Sequence, residues 1–130
     1  MGTRADFYIR AKNNKLTWLG SCTHDGYDVA TLETCAPAKR LAESKTVYSF
    51  KRNLSDYASY KIREGGEWIW ADEGWPWPWD DSNLTDYSYI YDARNKKIEC
   101  YNLDKGLIAW PDMSSIRNVT HAGFMILKFL

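Results

Sequence analysis

The sequence lacks most of what would sort it into a known chemical class. It has no apolar run near the ~20 residues that a membrane-spanning helix needs. Met1–Arg10 carries no apolar signal core, so neither a membrane nor a secretory destination is expected. Charge of one sign is missing too: 17 basic residues stand against 17 acidic ones, and no global field draws nucleic acid or anionic lipid. The three cysteines, Cys22, Cys35 and Cys100, are odd in number and show no C-x-x-C spacing. A disulfide framework or a zinc ribbon is therefore not expected, and reduced thiols in a cytoplasmic protein are.

Catalytic signatures are absent as well. There is no phosphate-cradling glycine loop, P-loop lysine, serine elbow or H-E-x-x-H pair. The two histidines, His24 and His121, are too far apart in sequence to form a helical ligand pair. No metal, cofactor or catalytic residue is assigned.

What the chain has in excess is aromatic residues, with seven Trp and nine Tyr. They concentrate around Gly74-Trp75-Pro76-Trp77-Pro78-Trp79-Asp80-Asp81, where three indoles alternate with two prolines. Each proline lacks an N–H and forces its predecessor into extended geometry, which excludes a helix and a central strand. An extended or polyproline-like brace remains, presenting Trp75, Trp77 and Trp79 as a set. Trp68 and Trp70 upstream, and Tyr87, Tyr89 and Tyr91 downstream, keep the same two-residue spacing.

Around this brace the charge is lopsided. From Glu67 to Asp92 there are seven acids and no Lys or Arg, including Asp72, Glu73, Asp80 and Asp81. Stacking platforms for bases exist, but the cations that would neutralise phosphates do not, so nucleic acid is not an expected ligand. Trp and Tyr anchors with an acidic rim instead suit a protein partner with a basic surface. The bland alternative is that the tryptophans fold over the sheet as a proline-braced lid and supply core, while the acids form a solvated face.

The rest of the pattern predicts an α+β fold in a single domain over 1–130, and 130 residues suffice for a self-sufficient core. Ala5–Arg10 alternates, with Phe7 and Ile9 on one face and Tyr8 on the other. It is followed by the turn-prone Lys12-Asn13-Asn14-Lys15 and a second strand, Leu16–Cys22. Short helical segments are expected over Val29–Cys35, stopped before Pro37, and over Ala38–Glu43. The main helix is predicted over about 44–60, N-capped by Ser44, with Val47, Phe50, Leu54, Tyr57 and Ala58 as its buried stripe. Glu67–Ala71 reads as a short strand, Asp86–Asp92 and Lys97–Leu103 as a second hairpin, and Gly123–Leu130 as a closing strand. The sum is a mainly antiparallel sheet built from hairpins with one main helix packed on it.

Two further readings of the side chains lead to different chemistry. Cys22-Thr23-His24-Asp25 ends a strand with a thiol and follows it with a base and an acid, the ingredients of a small enzyme's nucleophilic site or part of a metal site. Its plain reading is a buried thiol next to a loop histidine. The pairs Asp72/Glu73 and Asp80/Asp81 flank indoles, as acids flank stacking rings in sugar-processing clefts, which makes a carbohydrate-binding or hydrolytic module the other alternative.

The opening Met1-Gly2-Thr3-Arg4-Ala5-Asp6-Phe7-Tyr8, then Trp18-Leu19-Gly20-Ser21, Asp25-Gly26-Tyr27, Gly74–Trp79 and Thr85-Asp86-Tyr87 resemble a family of small bacterial and prophage-encoded proteins without an assigned activity. The resemblance covers the first hairpin and the central aromatic region. It implies a shared fold and a phage-derived accessory role. A stoichiometric inhibitor of a host defence system, in the manner of anti-CRISPR proteins, is the form that role would take. It lends no catalytic residue.

Overall fold

A computed structural model describes residues 3–31, 35–79, 82–102 and 106–107. Six strands form one mixed sheet: β1 Ala5–Arg10, β2 Leu16–Cys22, β3 Trp68–Trp70, β4 Tyr87–Asp92, β5 Lys97–Asn102 and β6 Gly106–Leu107, in the spatial order β3-β2-β1-β4-β5-β6. Three helices, α1 Asp28–Thr31, α2 Ala36–Ala42 and α3 Val47–Arg63, are inserted between β2 and β3. The α+β class and the hairpin construction follow the sequence pattern. The first hairpin turns through Asn14 at φ 70° and the second through Lys96 at φ 56°. At the centre, β1 and β4 pair in parallel, Phe7 opposite Tyr89 and Ile9 opposite Tyr91, joining the two hairpins into one sheet. Parallel pairing requires a long crossover, and the helices, β3 and the Trp-Pro stretch together form it.

One face of the sheet carries the aromatic core. Phe7 lies 5.1 Å from Tyr89, 5.2 Å from Trp68 and 5.7 Å from Tyr57 between ring centres, and Phe50 stacks on Tyr91 at 5.3 Å. α3 supplies Phe50, Leu54, Tyr57, Ala58 and Lys61 to this side; of the stripe that its apolar spacing predicts, Val47 is only half-buried, and a lysine is added. The helix starts later than expected. Its N-cap is Thr46, whose hydroxyl accepts from the Ser49 N–H at 2.9 Å while Ser49 Oγ accepts from the Thr46 N–H at 3.0 Å. Ser44, the expected cap, instead closes α2, donating to the Leu41 carbonyl at 2.8 Å. α2 also begins at Ala36, with Pro37 inside its first turn, where a proline's missing N–H costs nothing.

The alternation of β1 predicts one wet face, yet all six of its residues are buried. Asp6, Tyr8 and Arg10 point away from α3, so this second face is covered as well. At its Asp6 and Tyr8 end the cover is the segment that follows β3. Residues 108–110 beyond β6, the predicted closing strand Gly123–Leu130, Asp80 and Asp81 lie outside the described residues.

Candidate functional site

The Trp-Pro stretch forms a lid over the second sheet face. A 3₁₀ turn at Ala71–Glu73 ends in Gly74, whose φ of 100° is a left-handed geometry that side chains resist; the chain then runs through Trp75 and Pro76 and bends at Trp77–Trp79, so the expected extended brace is not straight along its length. Each indole N–H of the set has an acceptor. Trp75 donates to the Trp79 carbonyl at 2.6 Å, Trp77 to Asp6 Oδ1 at 2.7 Å and Trp79 to Thr85 Oγ1 at 3.0 Å. Trp77 and Trp79 stack at 5.6 Å with planes 19° apart, and Trp75 meets Trp18 edge-on at 4.8 Å. All three rings are half-buried.

Two features of the hairpin prepare this docking. A bulge in the β1–β2 pairing skips Leu19, so that Trp18 sits opposite Tyr8 while Gly20 sits opposite Phe7. Strict alternation would have sent Trp18 to the α3 side; the extra residue re-aims it to the lid. Asp6, fully buried, then gathers three donors: Ser21 Oγ at 2.5 Å, Trp77 Nε1 at 2.7 Å and Ser82 Oγ at 2.7 Å. Burial pushes the Asp6 carboxyl above its ordinary range, and the donated hydrogen bonds pull it part of the way back.

Arg4 completes the outer edge. Its guanidinium carbon lies 5.0 Å from the Trp79 ring centre and 6.0 Å from that of Trp77, and its Nε reaches Asp86 Oδ2 at 3.2 Å. The aromatic pair is thus already engaged by a cation of the chain itself.

The expected site residues divide accordingly. Trp75, Trp77 and Trp79 come together on one surface, in the lid arrangement. Asp72 is exposed beside them. Glu73 instead accepts from the Trp70 N–H at 2.7 Å, closing a donor at the edge of the sheet. Sequence reasoning missed Asp6 and Arg4, the residues that fasten the lid. The sequence carried no signal for them, since an acid on the Tyr8 face of β1 reads as solvated.

The Cys22-His24-Asp25 cluster does not assemble. Cys22 is fully buried on the α3 side and burial pushes its thiol up to about 12, which disfavours the thiolate that a nucleophile needs, while His24 and Asp25 are exposed beyond the strand end. Among the described residues no three His, Cys, Asp or Glu side chains gather as a metal site, and no helix is long and apolar enough to cross a membrane.

His24 and Asp25 do, however, line a cavity of about 320 Å³ between the loop after β2 and the end of α3. Its floor is an ion pair: Lys61 Nζ sits 2.6 Å from Asp28 Oδ2 and donates to the Asp25 carbonyl at 3.0 Å. Tyr57 donates to the same Asp28 oxygen at 3.4 Å. The loop is tied down by the Gly26 N–H on the Thr3 carbonyl at 2.8 Å and by the Tyr89 hydroxyl on the Gly26 carbonyl at 2.5 Å. A side chain at Gly26 would place its Cβ 2.6 Å from that of Ala5, so only glycine fits there.

Comparison of the chain with protein-family models, with curated proteins and with solved structures returns no match, so its chemistry is read from the site itself.

Proposed function

We propose that the chain is a small protein-binding accessory factor that acts stoichiometrically through the lid surface around Trp75, Trp77 and Trp79. The observation that carries this reading is the fixation of the three half-buried indoles by their own hydrogen bonds. Rings held in place before a partner arrives lose little conformational freedom on binding, which is how aromatic anchors become hot spots. The acids of this region favour a basic partner surface. Inhibition of a host defence complex by a cytoplasmic, phage-derived protein is the narrower form of the proposal, and it rests on the family resemblance.

The test is affinity capture from the natural host with wild type and a Trp79→Ala/Asp80→Lys variant, each first checked for a cooperative unfolding transition. A partner that copurifies with wild type and is lost from the folded variant is the expected result. Equal capture by both excludes this surface.

A further inference from the structure

The geometry points to a second binding site, separate from the lid: the cavity between the Thr23–Tyr27 loop and the C-terminal turn of α3 receives an organic cation, an alkylammonium or guanidinium group. Its volume of about 320 Å³ falls at the small end of ligand sites, enough for one such group and a short stem.

The charge balance sets the sign of the ligand. The one lysine in the lining, Lys61, is already neutralised by Asp28 at 2.6 Å and held by the Asp25 carbonyl, so it offers no net attraction to an anion. Asp25 and Glu64 stand exposed on the wall, and among the described residues neither forms an ion pair with a basic side chain. Arg63, the other basic residue of that turn, is outside the lining. The site also lies against the carboxyl end of a 17-residue helix, the negative pole of its dipole, which favours positive charge within the last turn. Two rings, Tyr27 and Tyr60, add half-buried aromatic wall of the kind that cations seek.

The floor gives the site rigidity. Lys61 and Asp28 are both buried, and the Lys61 ammonium lies 5.3 Å from the Tyr57 ring centre. With the Gly26 anchors, neither the loop nor the helix end has to reorganise for a ligand to enter.

The experiment is an amide and side-chain NMR titration with n-butylammonium and methylguanidinium, at constant ionic strength. The neutral 1-butanol and the anionic butyrate serve as controls of the same shape. A blocked Gly-Lys-Gly tripeptide separates a partner's side chain from a free amine as the source of the group: tighter peptide binding assigns the former, tighter amine binding the latter. The expected result is saturable shifts at Gly65, Gly66 and His24 with both cations and with neither control. Asp25→Asn/Glu64→Gln, which changes only exposed side chains, weakens that binding roughly tenfold or more. No saturable shift at roughly tens of millimolar cation overturns the assignment. So do equal shifts with 1-butanol, undiminished binding by the double variant, or shifts centred on the Trp77 and Trp79 indoles.

Discussion

Trp77 donates its indole N–H across 2.7 Å to Oδ1 of Asp6, fastening the Trp-Pro lid to a buried strand at the centre of the sheet. Seventy-one positions separate the two, and among the described residues no cation pairs with Asp6, so donors from the lid and from β2 are what make its burial tolerable. Trp77→Phe keeps the ring and removes one donor. The variant is expected to lose about 1–3 kcal/mol in urea unfolding, with the emission of Trp75 and Trp79 shifted to the red as the lid loosens. An unfolding midpoint equal to wild type would mean that the bond contributes nothing.

Glu99 makes stability depend on pH in an unusual direction. Burial, with Asp92 adding to it, raises the Glu99 carboxyl to about 7, against the 2.8 Å ion pair with Arg10 that pulls it down. The folded state therefore holds this proton more tightly than the unfolded chain, whose carboxyl titrates near 4.5. Its contribution is full below that value and lost as pH rises through about 7. Unfolding free energies of wild type and Glu99→Gln, measured across this window, are expected to converge on the acid side and to move in favour of the glutamine as pH rises. A constant difference would contradict the shift.

The thiols should react in the order of their burial. Cys22 and Cys100 are buried with their thiols pushed up, and Cys35 is half-buried at the start of α2. Iodoacetamide at mildly alkaline pH, followed by peptide mapping, is expected to label Cys35 first and the other two only on unfolding. Rapid native labelling of Cys22 would reopen the nucleophilic reading of the Cys22-Thr23-His24-Asp25 segment.

Thr46→Ala removes the acceptor that starts α3 and is expected to cost about 1 kcal/mol in chemical denaturation. Ser44→Ala, at the position that the sequence favours as the cap, should leave the start of α3 unchanged. Its effect falls on the end of α2, where Ser44 bonds the Leu41 carbonyl and Asn53 Nδ2. Amide exchange at Val47–Phe50 separates the two variants.

The elements legible in the residues alone are those whose signals are local. Alternation set β1 and β2, the Asn13-Asn14 pair set their turn, and the Phe50, Leu54, Tyr57 spacing set the buried stripe of α3. The prolines kept Trp75–Trp79 out of helix and sheet, although the chain bends at Trp77–Trp79 where an extended brace was expected, and the shared spacing of the tryptophans marked the lid surface. Whatever depends on pairing across distance emerged only when the chain was folded. The parallel match of β1 with β4 puts Asp6 under the lid. The skipped Leu19 turns Trp18 toward Trp75. The ends of β2 and α3, 36 residues apart between Asp25 and Lys61, close a charged cavity. None of these is visible locally, because a strand's period says which side chains share a face but not what covers that face. The same reason divides Cys22 from His24: two positions apart in sequence, they are parted by the end of the strand, one into the core and one onto the cavity wall.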